Sequence, residues 1–370
     1  MDRESFTLWL LARSNYRECY SVKSFPLSNA LGRLPEQFFA GLVQRAQRLI
    51  TEGHDVILLG QGNPDLPTPE HIVSALQDAA AKPRFHQYPP FRGYDFLKQA
   101  AADFYDREYD VQVDAEREVA ILMGGKVGLV EISQCLLNAG DTALVPDPGY
   151  PDYWSGIAMV NAHMHMMPLR EEADFLPDYD AVPEEVKSRA KLMFLNYPNN
   201  PTAATATPSF FSDTVKFADQ NEICVVHDFA YGGIGFDGQK PLSFLQTPKA
   251  KEVGIEIYTL SKTYNMAGWR IAFAVGNPHV IEALKVIQDH FHCSVFGGIQ
   301  AAAAVALRGR QDCVGDLVRT YESREQAHVV VAPGNGFGSW GEGYVRAGLL
   351  DSEDRLMEAV QRIEKLGISN

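Results

Sequence analysis

Between Glu118 and Val275 short apolar runs alternate with stretches of helical periodicity, and this alternation restricts the fold more than any other feature of the chain. The runs occupy residues 119–123, 142–145, 192–195, 223–228, 256–260 and 271–275. Apolar runs this short, bounded by turn residues, read as buried strands, and the periodic stretches between them read as helices. Strands that alternate with helices predict an α/β fold, a mostly parallel sheet with helices on both faces. Such sheets bind ligands beyond the carboxyl ends of their strands. Polar motifs stand at those ends here: Gly124 and Gly125 after the first run, Pro148, Gly149 and Tyr150 after the second, and Asp228 as the last residue of the fourth.

The flanks carry weaker signals. Residues 34–50 have helical spacing, with Gly53 as a stop. Residues 56–59 read as a short strand, residues 60–65 as a loop, and Pro69 opens a helix through about Ala81. Residues 311–325 read as an amphipathic helix and 328–331 as a strand. Only Glu325, Gln326 and Ala327 join them, without Gly, Pro, Asn or Asp. A helix-to-strand switch ordinarily needs such turn residues, so a missing segment is expected near Gln326. At the other end, residues 6–12 are apolar but follow Asp2, Arg3 and Glu4, a poor match to a secretory signal. Residues 1–21 read as a disordered extension, with Val22 as a candidate start.

A chain of 370 residues is long enough for two domains. Its 33 Lys and Arg against 47 Asp and Glu give a net charge of −14, which argues against a nucleic-acid or anionic-membrane partner. No apolar run approaches the ~20 residues of a membrane span. The cysteines at 19, 135, 224, 293 and 313 are scattered and include no CxxC, so neither a disulfide framework nor a zinc site is expected. A cytoplasmic location with reduced thiols follows as the expectation. No metal is expected either: His163 and His165 share a strand face without a further ligand, and His290 and His292 point to different helix faces. Residues 233–238 spell GxGxxG, but Pro241 follows where a dinucleotide-binding helix would have to open. Gly125 and Lys126 are not a P-loop, because Ala120 and Val127 stand at the wrong positions.

One constellation stands out, Thr259, Leu260, Ser261, Lys262, Thr263 and, eight residues after the lysine, Arg270. A lone lysine is ordinarily a solvated surface residue. This one follows an apolar run and sits between hydroxyl residues. The segment resembles the cofactor-lysine segment of the class I/II aminotransferases, fold-type-I enzymes that use pyridoxal phosphate. The resemblance spans about residues 22–368 and is nearest to the bacterial methionine-salvage transaminases. It implies that Lys262 carries the cofactor covalently and serves as the base. It makes Asp228 the carboxylate beside the pyridine nitrogen, with Tyr231 and Asn200 as partners of the ring oxygen. Gly125 and Lys126 match the phosphate cup at a helix start, with Thr259 and Arg270 as further phosphate ligands. Tyr150 matches the ring stacked on the cofactor. Tyr88 matches a tyrosine that reaches the phosphate of the other subunit, which implies a homodimer with shared active sites. Arg346 matches the arginine that binds the substrate α-carboxylate in a fork, and Gly62 a loop glycine approaching the same carboxylate.

The sequence departs from the family at Ala203, where glycine usually follows Asn-Pro-Thr; positive φ there would strain an alanine. The resemblance further implies a large cofactor domain at 63–295. A small α+β domain would combine residues 22–62 with 296–370, shortened near Gln326. The implied reaction is ping-pong transamination between an amino acid and a 2-oxo acid, with 4-methylthio-2-oxobutanoate as the favoured acceptor, forming methionine. Two alternatives remain at this stage: a β-lyase acting on C–S bonds with the same residues, and a truncated protein that binds the cofactor without turnover.

Overall fold

The computed structural model describes residues 23–60, 62–325 and 332–365. Seven strands form the main sheet: β1 Val119–Leu122, β2 Thr142–Asp147, β3 His163–Pro168, β4 Ala190–Leu195, β5 Cys224–Asp228, β6 Gly254–Thr259 and β7 Ala272–Gly276. The principal helices are α1 Asn29–Arg33, α2 Phe38–Thr51, α3 Glu70–Ala80, α4 Asp95–Tyr109, α5 Gly125–Leu136, α6 Asp152–Met159, α7 Pro208–Asn221, α8 Pro278–Phe291, α9 Gly297–Arg308, α10 Asp312–Glu325 and α11 Glu353–Lys365. The sheet order is β1-β7-β6-β5-β4-β2-β3. Strands β2 to β6 pair in parallel, and β7 alone runs against its neighbours β1 and β6.

Both faces of the sheet are covered, as the near-continuous apolar runs require. Because side chains alternate along a strand, Ile121, Leu144, Met193 and Val225 enter one core with α3, α4, α7 and α9. Ala120, Leu122, Val145, Phe194 and Ile257 enter the other, with α5, α6 and α8. One carboxylate lies wholly inside: Glu256 on β6 accepts hydrogen bonds from Tyr105 Oη (2.9 Å), Ser243 Oγ (2.7 Å) and Phe244 N (2.5 Å), and its Oε1 lies 2.7 Å from His227 Nδ1. Four partners offset the desolvation of a buried charge.

The structure departs from the sequence reading at residues 56–59. Among the described residues, 54–59 form no strand and no strand pairs with them. Leu59 instead packs on Leu356 and Ala359 of α11, and its carbonyl accepts from Gly348 N at 3.0 Å. Helix α9, beyond the expected boundary after residue 295, buries Ala302, Ala303, Ala306 and Leu307 in the same core as Ile72 and Leu97. The strand expected at 328–331 and the extension at 1–21 lie outside the described residues.

Residues from both ends of the chain meet beside the sheet. A two-stranded ladder joins β8 (Ala332–Pro333) to β9 (Val345–Arg346). The turn between them is pinned to the end of β2: Asp147 accepts from Ser339 N (3.1 Å), Ser339 Oγ (2.9 Å) and Trp340 N (3.0 Å), and Gly149 N donates to Phe337 O at 2.8 Å. At the N-terminal end, Arg33 on α1 donates to the carbonyls of Ala158 (2.8 Å) and Met159 (2.9 Å), tying α1 to the last turn of α6.

Candidate active site

The carboxyl ends of β1, β2, β4, β5 and β6 open onto a cavity of about 440 Å³. It is lined by Gly62, Gly125, Lys126, Tyr150, Asn200, Asp228, Tyr231, Thr259, Lys262, Arg270 and Arg346, which are eleven of the twelve residues singled out from the sequence. The twelfth, Tyr88, is not among them: it lies on the surface, 86% exposed.

One end of the cavity is built for an anion. Helix α5 starts at Gly125 with no side chain capping it, which leaves its first N–H groups free for a ligand. Gly124 before it has φ 90°, and a Cβ there would lie 2.8 Å from Arg270 Cζ, so only glycine admits the guanidinium. Arg270 Nη1 donates to Ala267 O at 2.9 Å, which holds its side chain over the helix start. Thr259 Oγ1 accepts from Ser261 N at 3.2 Å and donates to Ser261 Oγ at 2.9 Å, so both hydroxyls stand at this end. Lys126 is turned aside: its Nζ pairs with Asp152 at 2.8 Å. Lys126 thus contributes its backbone to the helix start, while its charge meets a carboxylate.

At the floor, Asp228 ends β5. Burial pushes its carboxyl up to about 6, against the hydrogen bond that Tyr153 Oη donates to Oδ2 at 2.9 Å. Asn196 Nδ2 donates to the Asp228 carbonyl at 2.7 Å and orients the strand end. Burial likewise pushes the Tyr231 phenol up to about 12 and holds Tyr150 protonated well above its usual range. Tyr150 meets Tyr153 edge-on at 5.8 Å.

Lys262 follows β6 in the single turn Leu260–Thr263, and its Nζ donates to Gly62 O at 2.5 Å. Burial, then the nearby Arg346 and Arg270 charges, lower its amine to about 8. A lysine so placed is a nucleophile near neutral pH. Opposite it, Arg346 lies over the neighbouring rings of Phe39 (5.3 Å) and Phe337 (4.9 Å), which meet each other edge-on. It donates to Asn200 Oδ1 (3.3 Å) and Gly60 O (2.5 Å), while its buried Nε has no partner among the described residues. An unpaired buried donor costs stability, and a carboxylate ligand would relieve it.

The turn that presents Asn200 holds Ala203 at φ 61°, the left-handed region that the sequence flagged as strained. No helix opens directly after the 233–238 segment, as Pro241 predicts; the chain there is turn and loop. Sequence reasoning missed Asn196, Ser261, Tyr153, Asp152, Gln37 and Phe39. Ser261 sits inside the lysine segment and Asn196 directly follows the 192–195 run, so both were within reach; Gln37 and Phe39 come from the start of a distant helix with no local signal. Among the described residues, no three His, Cys, Asp or Glu cluster to hold a metal ion, and no helix is long and apolar enough to cross a membrane.

The family model for aminotransferase class I and II matches residues 54–326. The chain is 56% identical to the L-glutamine--4-(methylsulfanyl)-2-oxobutanoate aminotransferase of Bacillus subtilis (strain 168), over 93% of this chain and 97% of the relative. That match runs over 386 positions, more than the 370 residues here, so part of the relative has no counterpart in this chain. Transaminase BacF of the same organism is 46% identical over 92% and 96% of the two chains. The substrate-bound BacF structure superposes with a TM-score of 0.88, at 46% identity over 93% of this chain and 98% of that one.

Proposed function

We propose that this chain, which belongs to the class I and II aminotransferases and uses pyridoxal phosphate, moves the amino group of L-glutamine onto 4-(methylsulfanyl)-2-oxobutanoate, yielding methionine. The substrates follow from the B. subtilis relative named for them. The observation that carries the reading is the convergence of the Lys262 amine, the buried Asp228 carboxylate and the Arg346 guanidinium on one cavity.

The cavity fits the cofactor at both of its charged ends. The uncapped start of α5, Arg270 and the Thr259 and Ser261 hydroxyls suit a phosphate dianion. Asp228 is buried and accepts one side-chain hydrogen bond, from Tyr153, so it suits a protonated ring nitrogen. Tyr150 would supply a ring face, with Asn200 and Tyr231 beside the ring oxygen. When bound, pyridoxal phosphate supplies the electron sink that allows a Cα–H bond to break. Lys262 would hold it covalently and take the proton from the substrate Cα. Asp228 would keep the ring nitrogen protonated. Arg346, with its unpaired Nε, would grip the α-carboxylate in a fork near Gly62 and so aim the Cα–H bond at Lys262.

The test is the visible spectrum of the cofactor-loaded protein on adding L-glutamine without an oxo acid. Conversion to the pyridoxamine form, followed by stoichiometric methionine when the oxo acid is added, supports the reading. Release of pyruvate and ammonia from a cysteine conjugate would mark a C–S β-lyase instead. The relative's surplus positions motivate a second reading, in which the chain holds the cofactor without turnover; a spectrum that forms but never converts would support it.

The same proposal includes a homodimer in the cytoplasm. Tyr88 does not line its own cavity and is 86% exposed, and Phe91 and Phe291 are exposed as well, as residues meant for a partner subunit would be. A monomeric mass in solution would refute this part, as would recovery of the native protein outside the cytoplasmic fraction.

A further inference from the structure

The two elements assigned to the substrate carboxylate come from opposite ends of the chain, Gly62 from the 60–65 loop and Arg346 from β9. Between themselves they are joined by little: Gly348 N donates to Leu59 O at 3.0 Å, and Arg346 to Gly60 O at 2.5 Å. A third element, α10, closes the arrangement. Arg324 in its last turn is 7% exposed and forks onto Asp65, Nη1 to Oδ1 at 2.8 Å and Nη2 to Oδ2 at 3.0 Å. Its Nη1 also donates to Leu349 O at 3.2 Å. Asp65 lies three residues beyond Gly62, and Leu349 three beyond Arg346. One guanidinium therefore grips both carboxylate-binding segments at the same distance along each. The Tyr321 ring lies 5.6 Å from Arg324 Cζ and fixes the fork from behind.

We propose that Arg324 is a positioning residue: its fork to Asp65 and Leu349 keeps the Gly62 loop and the Arg346 segment in register, and the substrate carboxylate site exists only while that fork is closed. The inference rests on the reading of Gly62 and Arg346 as carboxylate ligands. Arg324 itself touches neither substrate nor cofactor. A planar, bidentate fork suits this task because it fixes direction as well as distance; a lysine would pull on the same groups as a point charge.

The experiment uses the cofactor-loaded full chain and the variants R324K, R324M and D65N. Hydrogen exchange is followed at the Gly348 amide and across 62–65, beside KM for L-glutamine and the cofactor absorbance titration. Each variant is expected to speed exchange in both segments together while β5 and β6 stay protected. KM should rise roughly tenfold, as loss of one charged hydrogen bond gives, with kcat within about threefold and cofactor affinity unchanged. Exchange that rises in one segment only, an unchanged KM in D65N, or an R324K protein that behaves as wild type would overturn the proposal. Should R324M not fold, D65N and R324K decide alone. Wild-type protein without turnover would sink the functional reading, yet the joint or separate exchange of the two segments would still decide whether the latch exists.

Discussion

Replacing Ala203 by glycine should stabilise the protein. Ala203 sits at φ 61° in the turn where Asn199 N donates to Ala204 O (2.8 Å) and Ala203 N donates to Asn199 O (2.9 Å). These two bonds hold the backbone in the left-handed region, where Cβ crowds the following carbonyl at a cost of about 1–2 kcal/mol. Glycine removes that cost but gives the unfolded chain about 0.4–1 kcal/mol more freedom to lose. The net gain is then about 0–1.6 kcal/mol, about 0.8 kcal/mol at the centre of both ranges. In a chain of 370 residues, unfolding entropy of ~2 cal/mol/K per residue turns this into a melting shift of only ~1 °C. Urea unfolding of the cofactor-free protein, compared at the midpoint, is therefore the better assay. Valine at the same position is the matched control. Its branched Cβ makes the left-handed region costlier still, so A203V should fall below the parent while A203G rises above it. An A203G midpoint at or below that of the parent would refute the strain argument.

Gly124→Ala should abolish phosphate-end binding, because a Cβ at φ 90° would lie 2.8 Å from Arg270 Cζ; cofactor affinity should drop ~100-fold or more in an absorbance titration, given the lost charged contacts. Tyr153→Phe removes the hydrogen bond that lowers Asp228, so its carboxyl should titrate above about 6 in the cofactor-free protein, measurable by carbon NMR of a labelled aspartate. The Lys262 amine, lowered to about 8 from 10.5, makes a signed prediction for stability. Between pH 8 and 10.5 the unfolded chain binds a proton that the folded one does not, so stability rises with pH across that window. Lys262→Met should accordingly melt higher than the parent apoprotein at pH 7 and lose that advantage above pH 10.5.

Six of the seven strands of the main sheet were legible because they are short, nearly continuous apolar runs bounded by turn residues; β3, His163–Pro168, was not among those runs because its histidines interrupt the apolar pattern, and its first two residues are exposed. The cavity was legible because its chemistry falls directly after those strands. The lysine turn, Asp228 and the start of α5 all announce themselves within a few residues of a strand end. What escaped lacks a local signature. Residues 56–59 have strand composition, but a strand needs a neighbour, and the chain around Leu59 finds α11 instead. Helix α9 is rich in alanine, which fits a close helix–helix contact with α3 and α4, yet nothing in its sequence says which body it joins. Phe39 reaches Arg346 from more than 300 positions away. Tyr153 hides in a short helix buried along most of its length, its phenol distinguished only by the carboxylate it meets.

The staple at Asp147 has a mechanical consequence. It ties the 337–340 turn to the last residue of β2, three positions before Tyr150. Phe337, which packs on the Arg346 guanidinium, and Tyr150, which lines the cavity, are thereby loaded in series on one stretch of backbone. The packing behind the guanidinium and the tyrosine wall share a single stiffness. A change that slackens Asp147 would blur both together, and neither can be tuned for a new substrate without being felt at the other.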